Sequence, residues 1–150
     1  MFRFNLEPVL KHRKIVEEEL QKEMSALKRR HISEQTKLLE LEKSRSQCLR
    51  ELQEKQARGI RAQKISIYSD FIGRVTLQIE EQKKKVVSLE KIVTKKRKKL
   101  IIAMKDRKMV DQLKKNRLAL FEKNERRKEQ KLIDEVAVMG FQKSQQGKAE

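Results

Sequence analysis

The chain has no tryptophan, one proline, one cysteine and only four glycines in 150 residues. So few breakers argue against a many-stranded sheet, which needs a turn roughly every 8–12 residues. The lone Cys48 has no partner for an internal disulfide, which fits a reducing compartment. No run of apolar residues is long enough for a membrane span, which takes about 18 or more. The opening residues Met1 to Pro8 lack the continuous apolar core of a secretory signal. The expected location is therefore the cytosol, without membrane insertion.

Catalytic constellations are equally scarce. His12 and His31 lie on different helical faces with no cysteine in reach, and metal ligation needs a cluster. The plain reading is two solvated or seam-side histidines. Cys48 reads as a small apolar filler, because a nucleophile wants a base and an anion-stabilising site beside it. The glycines at 59, 73, 140 and 147 make no phosphate-cradling loop. The expectation is a non-enzyme with no cofactor and no metal.

What the sequence does have is charge and period. It is 41% charged and 37% hydrophobic, with a net charge of +17. Lys, Glu, Gln, Arg and Leu dominate, a coiled-coil composition once the apolar residues are periodic. Without that period, so charged a chain would read as disordered. One heptad seam runs through Leu6, Leu10, Arg13, Glu17, Leu20, Met24, Leu27, His31, Glu34, Leu38, Leu41, Arg45, Cys48, Leu52, Lys55 and Gly59. A second runs through Tyr68, Ile72, Val75, Ile79, Gln82, Val86, Leu89, Val93, Lys96, Leu100, Ala103, Arg107, Val110, Lys114, Arg117 and Phe121. Nine of the first sixteen and eleven of the second are apolar, so each seam is real but interrupted by polar residues that can fix register.

Between the seams charge thins out. Residues 59–72 hold a glycine, two serines, four isoleucines, Phe71 and the only tyrosine. This stretch reads as a bend. The fold class is therefore all-α: a long antiparallel two-helix coiled-coil hairpin with a C-terminal helical overhang, in a single domain. The spacing predicts a first helix over about 5–58, a bend over about 59–66, a second helix over about 67–139 and a flexible tail over 140–150. At the usual rise the helices would be roughly 80 and 105 Å long. Asn5 is placed to cap the first, Pro8 falls in its first turn, and Phe4 and Val9 are spaced for a hydrophobic staple. Ser66 or Ser69 can cap the second.

Folding about residue 62 sets position i against position 124 minus i. Residues beyond about 120 then have no partner in the same chain. That overhang ends in the apolar stretch Leu132 to Phe141, which either frays or docks on something else. Charge is uneven as well. Residues 83–131 carry 20 Lys or Arg against six Asp or Glu, whereas residues 3–58 carry 14 against ten. The basic half is open to three readings: a solvated face, a face for an acidic protein partner, or a nucleic-acid-binding face. No aromatic lies between Phe71 and Phe121 to stack on bases, so specific nucleic-acid binding is the weakest of the three. A basic coiled-coil nucleic-acid-binding protein nonetheless stands as the alternative function. A straight homodimeric coiled coil without a bend is the alternative architecture.

Three motifs carry a resemblance. They are Phe4-x-Leu6-x-x-Val9-Leu10-x-x-Arg13 at the start, then Gly59-Ile60, Tyr68-x-x-Phe71-Ile72 and Ile79-x-x-Gln82 around the bend. The third is Glu129-Gln-Lys131 with Asp134-Glu135-x-Ala137 near the end. In order and spacing they resemble the bacterial flagellar export protein FliJ family over almost the whole chain. The resemblance implies a monomeric two-helix coiled coil, similar to the stalk of rotary ATPases, in flagellar type III protein export and so in motility and chemotaxis. It implies that the end opposite the bend enters a hexameric export ATPase and promotes its assembly and activity. The residues placed there are Phe121, Leu132, Ile133 and Val136. It further implies contact with the cytosolic domain of the export gate protein, handling of export chaperones, and a location against the inner face of the cell membrane at the flagellar base. By register the family's gate-contact positions fall on Leu41, Ser44 and Cys48 of the first arm and on Phe71, Val75 and Gln82 of the second. Ser44 and Cys48 depart from the aromatic residues that enterobacterial members carry. Tyr68 and Phe71 have two readings: a small core that plugs the bend, or side chains that reach outward.

Overall fold

A computed structural model describes residues 1–146. It contains two helices, α1 (Glu7–Arg58, 52 residues) and α2 (Ala62–Gln146, 85 residues), joined by three residues. They pack against each other as a helical hairpin. By its packing the chain divides into two units, and both helices run through both. One consists of Met1–Val16 with the chain from Ala103 onward, the other of Glu17–Ile102.

The seams read from the sequence are the packed faces. Leu6 to Leu52 on α1 are all buried or half-buried, and only Lys55 and Gly59 at the end of that series are exposed. On α2 every seam position except Arg117 is at least half-covered. Burial at steps of three and four residues brings one stripe of each helix inward. The core is one layer thick, with Ile79 wholly covered and Leu10 1% exposed.

The bend is tighter than 59–66. Arg58 ends α1, Gly59 follows with φ of 90°, and its N–H donates to the carbonyl of Gln56 at 3.3 Å. A left-handed residue just past the last helical one is a common stop, and glycine adopts it without a Cβ penalty. Helix α2 then begins at once. The Arg61 carbonyl accepts from Lys64 N (3.0 Å) and Ile65 N (3.2 Å), so Ser66 and Ser69 lie inside the helix instead of capping it. Ala62, Gln63 and Lys64 are strong helix formers, which the sequence reading gave to the bend.

That early start shifts the register. A pivot at residue 60 instead of 62 lowers the facing position by four. In the first unit Glu7 meets Lys114 at 2.7 Å, where folding about 62 would have set it against position 117. In the second, Glu23 pairs with Lys96 and not with position 101.

The N-terminal segment also differs from expectation. Helix α1 opens with Leu6 accepting from Leu10 N (3.0 Å), after a turn in which Phe4 accepts from Glu7 N (3.1 Å). Asn5 sits within that turn. Phe4 packs with Leu10 and Val110, while Val9 stays exposed, so the predicted staple is replaced by packing across the two helices. At the other end α2 passes through Gly140 and continues to Gln146, where a flexible tail was expected from 140. A glycine in a helix interior costs about 1 kcal/mol but does not stop the helix unless it turns left-handed. Residues 147–150 of that expected tail lie outside the described residues.

Candidate partner-binding surfaces

In the unit that carries the bend, the arms are tied by Lys55, whose Nζ donates to the Tyr68 hydroxyl at 2.6 Å and lies 5.1 Å from the ring centroid. That hydroxyl raises the Lys55 pKa. Tyr68 is thereby engaged across the bend. Phe71, 38% exposed, lines an open groove of about 430 Å³ together with Ser44, Cys48 and Ile67. The two readings of these aromatics thus separate: Tyr68 closes the arms together and Phe71 offers an edge to solvent.

A second groove, of about 470 Å³, lies farther from the bend and is lined by Leu41, Ser44, Gln78 and Gln82 among others. Of the positions that the resemblance suggests for gate contact, the structure groups Ser44, Cys48 and Phe71 at one groove, and Leu41, Ser44 and Gln82 at the other. Val75, 5% exposed, lies within the packed seam. The Gln82 amide is already occupied, donating to the Glu34 carbonyl (2.9 Å) and carboxylate (2.5 Å). This bond, with help from Lys37, holds the Glu34 carboxyl below its ordinary range. His31 is half-buried on the same seam and its Nε2 has no hydrogen-bond partner, while His12 is exposed.

In the other unit the N-terminal segment lies against α2. The rings of Phe2 and Phe121 meet at a tilt of 50° with centroids 5.7 Å apart, Arg117 lies 5.8 Å from the Phe4 ring centroid, and the Arg13 guanidinium donates to the Asp106 carbonyl at 2.9 Å. Sequence reasoning missed Phe2 and gave Phe4 a local role. The signal was the alternation Phe2, Phe4, Leu6, a period of two that marks an extended segment with one apolar face.

Beyond Phe121 little covers α2. From residue 122 to 145 every residue is exposed except Glu125, which is half-covered. Leu132, Val136 and Met139 lie on the same side of α2 as Phe121, beyond ten polar residues, and are exposed. Leu132, Ile133 and Val136 are 64%, 61% and 62% exposed. Among the described residues, no helix is long and apolar enough to cross a membrane.

The family model of the flagellar FliJ protein matches residues 2–146. The chain belongs to the FliJ family. As a FliJ-family chain it is a type III export-associated protein, in a family of non-catalytic export components. A solved structure of a YscO homologue from Chlamydia trachomatis is similar at 27% identity, over 97% of this chain and 99% of that one, with a TM-score of 0.43. No curated protein sequence matches the FliJ-family chain with significance.

Proposed function

We propose that the chain is the central stalk of the flagellar export ATPase, a non-enzymatic monomer that promotes assembly and activity of the hexamer. The overhang is the part that enters the ring. Its uncovered apolar tip, Leu132, Ile133 and Val136, is the observation that carries this reading, with the half-covered Phe121 at the base of the overhang. A bare apolar face on a long helix is stable in water only as a marginal structure, and a partner's apolar lining would remove it from solvent. The bend end then faces the cytosolic domain of the export gate protein, with Leu41 and Phe71 as the accessible contacts beside Ser44 and Cys48. Val75 and Gln82 support those contacts from within the seam. Export chaperones are handled by the same protein, at the inner face of the cell membrane at the flagellar base.

The test is to add the purified chain to the cognate export ATPase and follow phosphate release. Stimulation and co-elution are expected. Replacement of Leu132, Ile133 and Val136 by serine should abolish both while leaving the helical content intact. Stimulation by that variant at the wild-type level would show that the overhang is not the stalk.

A further inference from the structure

Within the unit Glu17–Ile102, one face of α2 has no role in the packing or in the proposed stalk. Lys84, Val87, Lys91, Lys95, Lys98 and Ile102 follow at steps of three and four residues, which sets them on a single helical stripe. The buried positions in the same stretch, Val86, Leu89 and Val93, lie on the opposite side of the helix. All six stripe residues are exposed, Val87 at 49% and Ile102 at 59%. The cross-helix ion pair here is made by Lys96, on the flank of the seam, with Glu23. It leaves the four stripe lysines to solvent. Residues 83–102 contain nine Lys or Arg and a single acid, Glu90.

We propose that this stripe is a docking face for an anionic phospholipid surface. Three features favour lipid over another polyanion. The four cations are all lysines, compact point charges suited to a diffuse anionic plane, and not the planar forks that pair bidentately with one carboxylate or phosphate. Val87 stands among them and Ile102 follows the last, apolar side chains that a helix lying in a headgroup layer can sink into it. A nucleic acid would leave Val87 and Ile102 unsatisfied, and no aromatic is at hand to stack on bases. Docking along this stripe lays the helix parallel to the membrane with the seam turned away from it.

Flotation of the full chain with vesicles tests this. Binding is expected to vesicles of phosphatidylcholine containing phosphatidylglycerol, not to phosphatidylcholine alone, and to weaken as salt is raised. Each lysine near such a surface contributes about fivefold in affinity, so replacing all four by glutamine should weaken binding on the order of several hundredfold. Replacement by arginine should restore it. A Val87→Ser, Ile102→Ser double variant should bind more weakly with its salt dependence unchanged. All these residues are exposed, so helical content serves as the folding control. Wild-type binding by the glutamine variant, or no binding to the anionic vesicles, overturns the proposal. So does undiminished binding by the serine variant, or equal affinity for a DNA duplex, since either makes the stripe a general polyanion face. The assay contains no ATPase, so it succeeds or fails independently of the stalk reading.

Discussion

Two glycines show how backbone angle, and not residue type, sets the effect of a substitution. Gly59 holds φ at 90°, and a Cβ built there would meet nothing within 4 Å. The obstacle to a side chain at Gly59 is therefore conformational, not a clash. Gly59→Ala should lower stability by about 1–2 kcal/mol, the usual cost of a non-glycine residue in a left-handed conformation. Gly73 sits inside α2 and likewise has open space around it, with no unusual φ. Gly73→Ala should raise stability by about 1 kcal/mol through helix propensity. Urea unfolding of the two variants followed by circular dichroism checks the pair. A Gly59→Ala variant at least as stable as the unaltered chain would show that the bend does not need Gly59's left-handed angle.

At the scale of the elements, α2 has two regimes. Up to Phe121 its inner face is covered, and beyond it the helix stands by itself. Removing residues 122–150 should therefore leave the urea midpoint of the remaining chain nearly unchanged. Cutting before Phe121 should lower it, because the Phe121 ring packs against Phe2 and the N-terminal segment is held there. Equal midpoints for the two truncations would mean that this end contributes nothing to folding. The helices, the bend and the overhang were legible in the sequence because heptad spacing and a change in composition mark them strongly. The register was not. It depends on where α2 begins, and Ala62-Gln-Lys carries no cap to announce it. The candidate gate positions show the same limit from the other side. Val75 and Gln82 are seam residues by their spacing, and the structure covers both. Phe71, one position off the seam, keeps an exposed edge.

For the molecule as a whole, the balance between 39 cationic and 22 acidic side chains makes stability a matter of pH and salt. Three carboxyls are held below the ordinary range by direct partners: Glu7 by a hydrogen bond from Lys114, Glu34 chiefly by Gln82, and Glu125 by Lys128. An unfolded glutamate titrates near about 4.3. Groups depressed in the fold contribute stability that is fully present above that value and is lost as pH falls through their lower folded pKa values. Over the same range the acids neutralise, and the net charge climbs from +17 towards that of the cations alone. Loss of the pairs and growth of the repulsion act in the same direction. The urea midpoint should therefore hold steady through the neutral range and fall below about pH 4. Added salt should recover part of the loss at acid pH, since it screens the repulsion when few ion pairs remain to be weakened. A midpoint that stayed flat to about pH 3 would show that neither the carboxyl pairs nor the repulsion matters to folding. A further fall on adding salt would show that surviving ion pairs outweigh the repulsion.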